Sequence, residues 1–308
     1  MLVLGRAEVR DLLDLDLLLD RLERAFVELS AGRTSVPPRI AASTERGFLA
    51  AMPGYADGVL ETKLVSVFPE NRDLPSHQAT ISIFDDQTGQ PLALMDGTEI
   101  TAVRTGAASA VSTRVLARQD ARVLAVLGAG VQGRAHVEAA RRVRDFDEIR
   151  VASRTFDRAQ EHAREVGGVA VESFEEAVRG ADVVSACTDA SEPVLSADWL
   201  SLGTHVTSVG ASRGGPELDR ATVTAGLLVV ESRVAFEPYP AGAHELQGLD
   251  PGSAAELGEI LAGTREGRTS PDQITVYKSM GHAAEDAAAA GLVYRRAVET
   301  GVGTEVEL

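Results

Sequence analysis

The chain contains a single cysteine, Cys187, among 308 residues. One cysteine excludes an intrachain disulfide, and no CxxC pair offers a zinc site. The six histidines are scattered, without HxH or HxxxH spacing, so no metal site is expected. Basic residues are also in short supply, 30 Lys and Arg against 46 Asp and Glu. The resulting formal charge of −16 argues against nucleic acid or an anionic membrane as partner, although a local basic pocket for a small anion survives that argument. No run of about 18 uncharged apolar residues occurs, since the Ala-rich stretch near 283–293 carries Glu285 and Asp286. Arg6, Glu8, Arg10 and Asp11 come too early for the apolar core of a signal peptide, which predicts a cytoplasmic protein. With 44% hydrophobic and 25% charged residues, the composition is that of an ordinary globular chain, long enough for one large domain or two.

What the chain does have is a glycine fingerprint. Val123–Leu127 is an apolar, β-branched run that stops at Gly128, and Gly130 and Gly133 follow at GxGxxG spacing before a helical pattern. In a strand–turn–helix setting the first glycine permits the tight turn, the second admits a pyrophosphate, and the third lets helix pack on strand. The helix N-terminus then offers unpaired N–H groups and partial positive charge. The next strand, 149–152, ends in Ser153-Arg154-Thr155, with Arg158 one turn on, where an NAD binder commonly carries an acid. Hydroxyls and guanidinium suit a 2′-phosphate, which favours NADP(H) with NAD(H) as the alternative.

Around this point, 8–31 reads as one amphipathic helix, 47–52 and 61–68 as strands with Pro53-Gly54 and 71–75 as turns, and 78–84 with 91–95 as a hairpin. The small-residue stretch 99–117 reads as a helix packed closely on another element or on a cofactor. Alternation then continues through a helix at 174–179, strands at 182–188, 204–210, 227–232 and 274–279, and a final helix at 281–298. This pattern predicts a doubly wound parallel sheet over 116–279, with ligand at the carboxyl strand ends. The parallel domain is inserted in an α+β segment formed by 1–115 and 280–308, with a cleft between the halves.

Pro38-Arg39, Thr62-Lys63-Leu64-Val65-Ser66, Pro75 through Thr80, Met95-Asp96-Gly97, Ile100 through Ala107, Leu127 through Gln132, Val209 through Arg213, Glu217-Leu218-Asp219 and Tyr277 through Gly281 together resemble the ornithine cyclodeaminase/mu-crystallin family, in order and over essentially the whole chain. Within it, the closest likeness is to the mu-crystallin-like ketimine reductases and their alanine dehydrogenase relatives. The resemblance implies a Rossmann-type cofactor domain at 116–279, and a substrate-binding domain that also builds a homodimer through its sheet. It implies that Arg39, Lys63 and Arg104 surround a substrate carboxylate, and that catalysis draws on Lys63, His77 and Ser212, with the proton donor open between Lys63 and His77. It further implies cofactor contacts from Ser76, His77, Arg104, Thr105, Gly128, Ala129, Gly130, Val131, Gln132, Gly133, Ser153, Arg154, Thr155, Arg158, Cys187, Thr188, Val209, Gly210, Ser212, Lys278, Ser279 and Met280. Read alone, Cys187 is a packing residue, and His136 is structural or near the phosphates.

Two departures set the chain apart from the cyclodeaminases of that family. Ser212 stands where they carry a catalytic aspartate, and Ala50 stands where an acid would hold the distal amine of ornithine. The expected activity is NADPH-dependent reduction of the C=N carbon of an imino-carboxylate, such as pyrroline-2-carboxylate, to an amino acid. An alanine dehydrogenase-like enzyme, an ornithine cyclodeaminase and a non-catalytic NADPH- or small-ligand-binding protein are the alternatives. The partner in each enzymatic case is a small imino, keto or amino acid.

Overall fold

The computed structural model describes residues 1–210 and 215–307, which form two compact units, Met1–Arg104 with His282–Leu308, and Thr105–Gly281. The chain passes from the first to the second inside the helix Gly97–Leu116.

In the first unit a seven-stranded sheet runs in the order Thr304–Glu305, Leu2–Leu4, Pro91–Asp96, His77–Phe84, Val59–Val67, Phe48–Ala56, Ile40–Ser43. Only Leu2–Leu4 and Pro91–Asp96 pair in parallel; the other neighbours are antiparallel. The helices Leu15–Ser30 and Ala283–Thr300 pack against one another, and the latter also lies on the central strands. The expected single helix over 8–31 is two, Arg6–Leu12 and Leu15–Ser30. Asp14 separates them because its carboxylate accepts the Leu17 N–H at 3.0 Å, capping the second helix instead of continuing the first.

The expected turn at Pro53-Gly54 is likewise absent. Phe48–Ala56 runs straight through it, and the chain reverses at Asp57-Gly58, with φ of 50° and 69°. Positive φ at both positions is what a tight two-residue hairpin needs. Pro53 is harmless in the strand because its nitrogen faces the same side as Tyr55, between the pairings Ile40↔Ala51 and Ser35↔Tyr55, where the neighbouring strand has already ended. Gly54 has a positive use, since a side chain there would stand 3.0 Å from Ala283 Cβ. Its absence lets the helix approach the sheet.

The second unit is built on an eight-stranded sheet, ordered Ala255–Glu256, Leu227–Val230, Thr275–Lys278, His205–Ser208, Val183–Ala186, Val123–Leu127, Glu148–Ala152, Val169–Ala170, with every pairing parallel. This is the expected α/β class, a parallel-sheet domain together with a second, largely antiparallel one. Strand order reverses between Val123–Leu127 and Val183–Ala186, the switch point at which open parallel sheets bind ligands. The small residues after Arg104 do pack a helix closely: a side chain on Gly106 would meet the Ala135 carbonyl oxygen at 2.6 Å. Two hydroxyls on that helix close buried networks. Ser109 Oγ lies 2.9 Å from His136 Nε2, and Ser112 Oγ lies 3.2 Å from His205 Nε2, whose Nδ1 is 2.9 Å from Thr275 Oγ1.

Burial lowers the pKa of His136 to about 4 and that of His205 to about 3, so both are neutral near pH 7. Unfolding releases each to protonate near its ordinary value, so the unfolded chain binds more protons from about pH 6.5 downward. Stability is therefore expected to fall on acidification from about pH 6.5 toward 4. Thermal melts across this range should show a smaller fall in His205→Asn than in the parent, and an equal fall would remove His205 from the account.

Candidate active site

On the strand Val59–Val67 alternate residues Val59, Glu61, Lys63 and Val65 are buried, as period-two geometry requires of a strand with one covered face. Two of the four are ionisable, which no apolar core explains. Facing them is the first turn of Ala283–Thr300. There Glu285 closes a capping box by accepting the His282 N–H at 3.0 Å through Oε1.

Lys63 Nζ lies 2.7 Å from Asp286 Oδ2. Arg104 reaches the same pair of acids, Nε donating to Asp286 Oδ1 at 3.0 Å and Nη1 to Glu285 Oε2 at 2.7 Å. All of these groups are buried. Arg39, half-buried, completes the cationic side, and its charge acts on Lys63, His282 and Asp286.

The electrostatics follow from burial and these pairings. Desolvation brings the Lys63 ammonium down to about 8, with Asp286 opposing the shift and Arg104 adding to it. Burial pushes Asp286 upward, but Lys63 and Arg104 outweigh it and hold the carboxylate below its ordinary range. Burial raises Glu285, against the pull of Arg104. Glu61 is driven well upward by burial and then by the charge of Asp286, with Lys63 and Arg104 opposing the shift. Burial lowers His282 to about 4, followed by Arg39, leaving a neutral ring that caps the helix. Three basic side chains, Arg39, Lys63 and Arg104, thus gather around the acids Glu285 and Asp286.

In the second unit the glycines stand at the switch point. Gly128 has φ of 118°, and a side chain on it would lie 2.5 Å from the Cys187 carbonyl oxygen. One on Gly133 would lie 2.2 Å from the Gly128 carbonyl oxygen, whereas Gly130 has open space around it. Gly130 caps the helix Val131–Ala140 with no side chain, leaving the first N–H groups uncovered, and Val131 is exposed. Ala129 and Gln132 lend carbonyls to Arg134 and His136. Arg154, Thr155 and Arg158 are exposed beyond the strand Glu148–Ala152, with Ser153 half-buried beside them. This constellation fits a dinucleotide: close backbone approach, an uncapped helix start, and basic groups where the second strand ends.

Glu217 fixes the neighbouring strand ends. Its carboxylate accepts from Thr188 N at 2.6 Å, Thr188 Oγ1 at 2.7 Å, Ser208 Oγ at 2.8 Å and Gly210 N at 2.7 Å. Lys278 is fully buried, donating to Ser208 Oγ at 3.1 Å and Gly210 O at 2.6 Å, with Glu245 Oε1 at 2.9 Å. Met280 N donates to Glu231, Ser279 Oγ accepts from Gly281 N, and Val209 N donates to Ala186 O. Cys187 is buried, and burial pushes its thiol well upward, so it is no nucleophile. Thr105 is buried at the start of this unit.

Arg39, Lys63 and Arg104 thus share one cluster. His77 does not share its rung: it is exposed at the start of His77–Phe84, paired with Val67 four rungs from Lys63↔Ile81, with Ser76 Oγ 3.2 Å from its Nδ1. Ser212 lies outside the described residues. Sequence reasoning missed Glu61, His282, Glu285, Asp286 and Glu217. Two adjacent acids in an Ala-rich helix, and a Glu two residues before a site lysine on a strand, were the available signals.

The fold is that of an α/β protein in which a parallel-sheet, nicotinamide-dinucleotide type of unit is joined to a second, largely antiparallel unit. The chain belongs to the ornithine cyclodeaminase/mu-crystallin family, whose model matches residues 1–301. It is 41% identical to the ketimine reductase mu-crystallin of Mus musculus, over 94% of this chain and 96% of the relative. The structure of Thermococcus litoralis Delta(1)-pyrroline-2-carboxylate reductase in complex with NADH and L-proline superposes with a TM-score of 0.93 at 40% identity, covering 99% of this chain and 100% of that one. An archaeal alanine dehydrogenase dimer with bound NAD gives 0.89 at 32% identity, covering 100% and 99%.

The buried pairings give the cluster a structural load as well. Arg104→Met takes the cation from Glu285 and leaves Asp286 with Lys63 alone, and breaking such a buried pair costs roughly 3–5 kcal/mol. The variant is therefore expected to lose both turnover and thermal stability. Arg39→Met should also lose turnover. A melt of Arg104→Met equal to that of the parent would contradict the pairing.

Proposed function

We propose that this chain is an NADPH-dependent ketimine reductase that reduces a cyclic imino-carboxylate of the pyrroline-2-carboxylate class to the corresponding amino acid. The observation that carries the reading is the gathering of Arg39, Lys63 and Arg104 in one cluster, in a chain whose second unit carries a glycine fingerprint that fits a dinucleotide. The relatives named for ketimine and pyrroline-2-carboxylate reduction support it.

Gly128, Gly130, Gly133 and the start of Val131–Ala140 would hold the pyrophosphate, and Ser153, Arg154, Thr155 and Arg158 the adenosine 2′-phosphate. The Glu217 network sets the loops at Thr188 and Gly210 that border the site. When bound, the cofactor supplies the hydride. Arg39 and Arg104 orient the substrate carboxylate, which fixes the adjacent C=N carbon, and Lys63 carries the proton for the nitrogen. Its pKa of about 8 suits that role near neutral pH, whereas His77 is exposed away from the rung.

NADH is the second reading for the cofactor, favoured by the NADH and NAD in the two solved relatives. We read the chain as a homodimer through the outer face of the first sheet, where Ile40, Leu49 and Leu64 are exposed. No helix among the described residues is long and apolar enough to cross a membrane. With its lone cysteine buried, the chain suits a reducing compartment, and we place it in the cytoplasm.

Steady-state turnover separates the readings. With Δ1-pyrroline-2-carboxylate, NADPH oxidation is expected, with kcat/KM higher for NADPH than for NADH. Faster turnover of pyruvate with ammonia would point to an alanine dehydrogenase. Ammonia release from ornithine without net cofactor change would point to a cyclodeaminase, and cofactor binding without any turnover to a binding protein.

A further inference from the structure

Glu61 stands out among the buried acids of the first unit. It is 2% exposed, and neither carboxyl oxygen meets a hydrogen-bond partner among the described residues. A buried carboxylate in that condition would carry the full desolvation penalty of a bare charge, of the order of several kcal/mol. A carboxylic acid avoids most of it.

Its surroundings say what the proton is near. Glu61 and Lys63 point to the same face of one strand, two residues and so about 7 Å apart. The position that a Gly54 side chain would take is 3.4 Å from Glu61 Oε1 and 3.0 Å from Ala283 Cβ, which sets this oxygen against the first turn of Ala283–Thr300. Asp286 is three residues on from Ala283, on the same face of that turn. Asp286 Oδ2 is the oxygen 2.7 Å from Lys63 Nζ. The charged groups that act on Glu61 are Asp286 from the helix, Lys63 from its own strand and Arg104 from Gly97–Leu116. Glu285 on the helix is paired with Arg104, and the neighbours across the sheet, Gly54 and Ile83, are uncharged.

We propose that Glu61 is a positioning residue for proton transfer, a protonated carboxylic acid that stores the proton with which Lys63 is recharged through Asp286 after the reduction. The proposal rests on the imine-reductase reading above. Reduction of C=N adds a hydride to carbon, from the cofactor, and a proton to nitrogen. In the proton step a bond forms from the substrate nitrogen to hydrogen as one Lys63 Nζ–H bond breaks, leaving a neutral amine. The Glu61 O–H bond then breaks as its proton moves to the Asp286 carboxylate, and that proton moves on from Asp286 to Nζ, so that Asp286 is again a carboxylate, Lys63 regains its charge and Glu61 becomes a carboxylate. Solvent reprotonates Glu61 once the product has left. The chain needs no oxidant and no further reactant.

Two measurements test it. Infrared spectroscopy of the full chain at pH 7 should show a buried protonated-carboxyl band that disappears in Glu61→Gln. Without that band in the parent, Glu61 is ionised and the proposal falls, whatever the activity. Glu61→Gln keeps the volume and neutrality of the acid but has no proton to release. It should melt with the parent and bind NADPH and L-proline with parental affinity, yet lose about tenfold or more in kcat, with an altered alkaline limb in the pH profile. Glu61→Asp should recover part of that loss. Parental kcat and pH profile in Glu61→Gln would reduce Glu61 to a packing residue and overturn the relay. If the parent shows the band but reduces no imine, the functional reading has failed and the relay goes with it, while the protonated state of Glu61 stands.

Discussion

The ion pairs that join Lys63 and Arg104 to Asp286 and Glu285 are the constraint on which the first unit depends. Charges taken out of water at this depth persist only if each finds a partner of opposite sign. The strand Val59–Val67, the start of Ala283–Thr300 and the helix carrying Arg104 must therefore meet in one register. Gly54 permits that meeting by removing a side chain from the path of Ala283. The same meeting gathers buried ionisable groups whose pKa values are displaced, which marks a candidate functional site.

The second unit solves a different problem by similar means. Its strand ends must bring backbone close to a ligand without collapsing onto one another. The glycines at 128 and 133 allow approaches that a Cβ would forbid, and Glu217 fixes the adjoining ends by accepting four hydrogen bonds. Lys278, buried against Ser208, Gly210 and Glu245, extends the same network across the sheet. Polar networks that are fully satisfied rigidify what they join, and rigid loops are what a hydride acceptor and donor need for alignment.

Much of this was legible in the sequence, for reasons that differ by element. The parallel sheet was readable because its strands are continuous apolar runs separated by turn residues, and the fingerprint because glycine spacing reports backbone contacts directly. Leu2–Leu4, Ile40–Ser43, Val169–Ala170, Ala255–Glu256 and Thr304–Glu305 were not, because two to four residues are too few to show a period and form only by pairing with a neighbour. Asp14 and Pro53 misled in opposite directions. One is a cap hidden inside an amphipathic pattern, and the other a proline tolerated where its missing N–H has no ladder to serve. The cations of the site came through their motifs, while the acids that balance them sit 181 and 182 residues from Arg104, a distance over which spacing carries no information.

The central claim, that the cluster of Arg39, Lys63 and Arg104 receives a substrate carboxylate, is tested most directly by calorimetry on the cofactor-loaded protein. Pyrrole-2-carboxylate is planar, carries the carboxylate and cannot be reduced at a C=N bond, and pyrrole-2-carboxamide differs by the loss of its charge. The account predicts that the carboxylate binds at least about tenfold more tightly, or roughly 1.4 kcal/mol. It also predicts that this advantage shrinks as pH rises through about 8, where Lys63 loses its proton. Equal affinity for the two compounds, unchanged across that range, would contradict it.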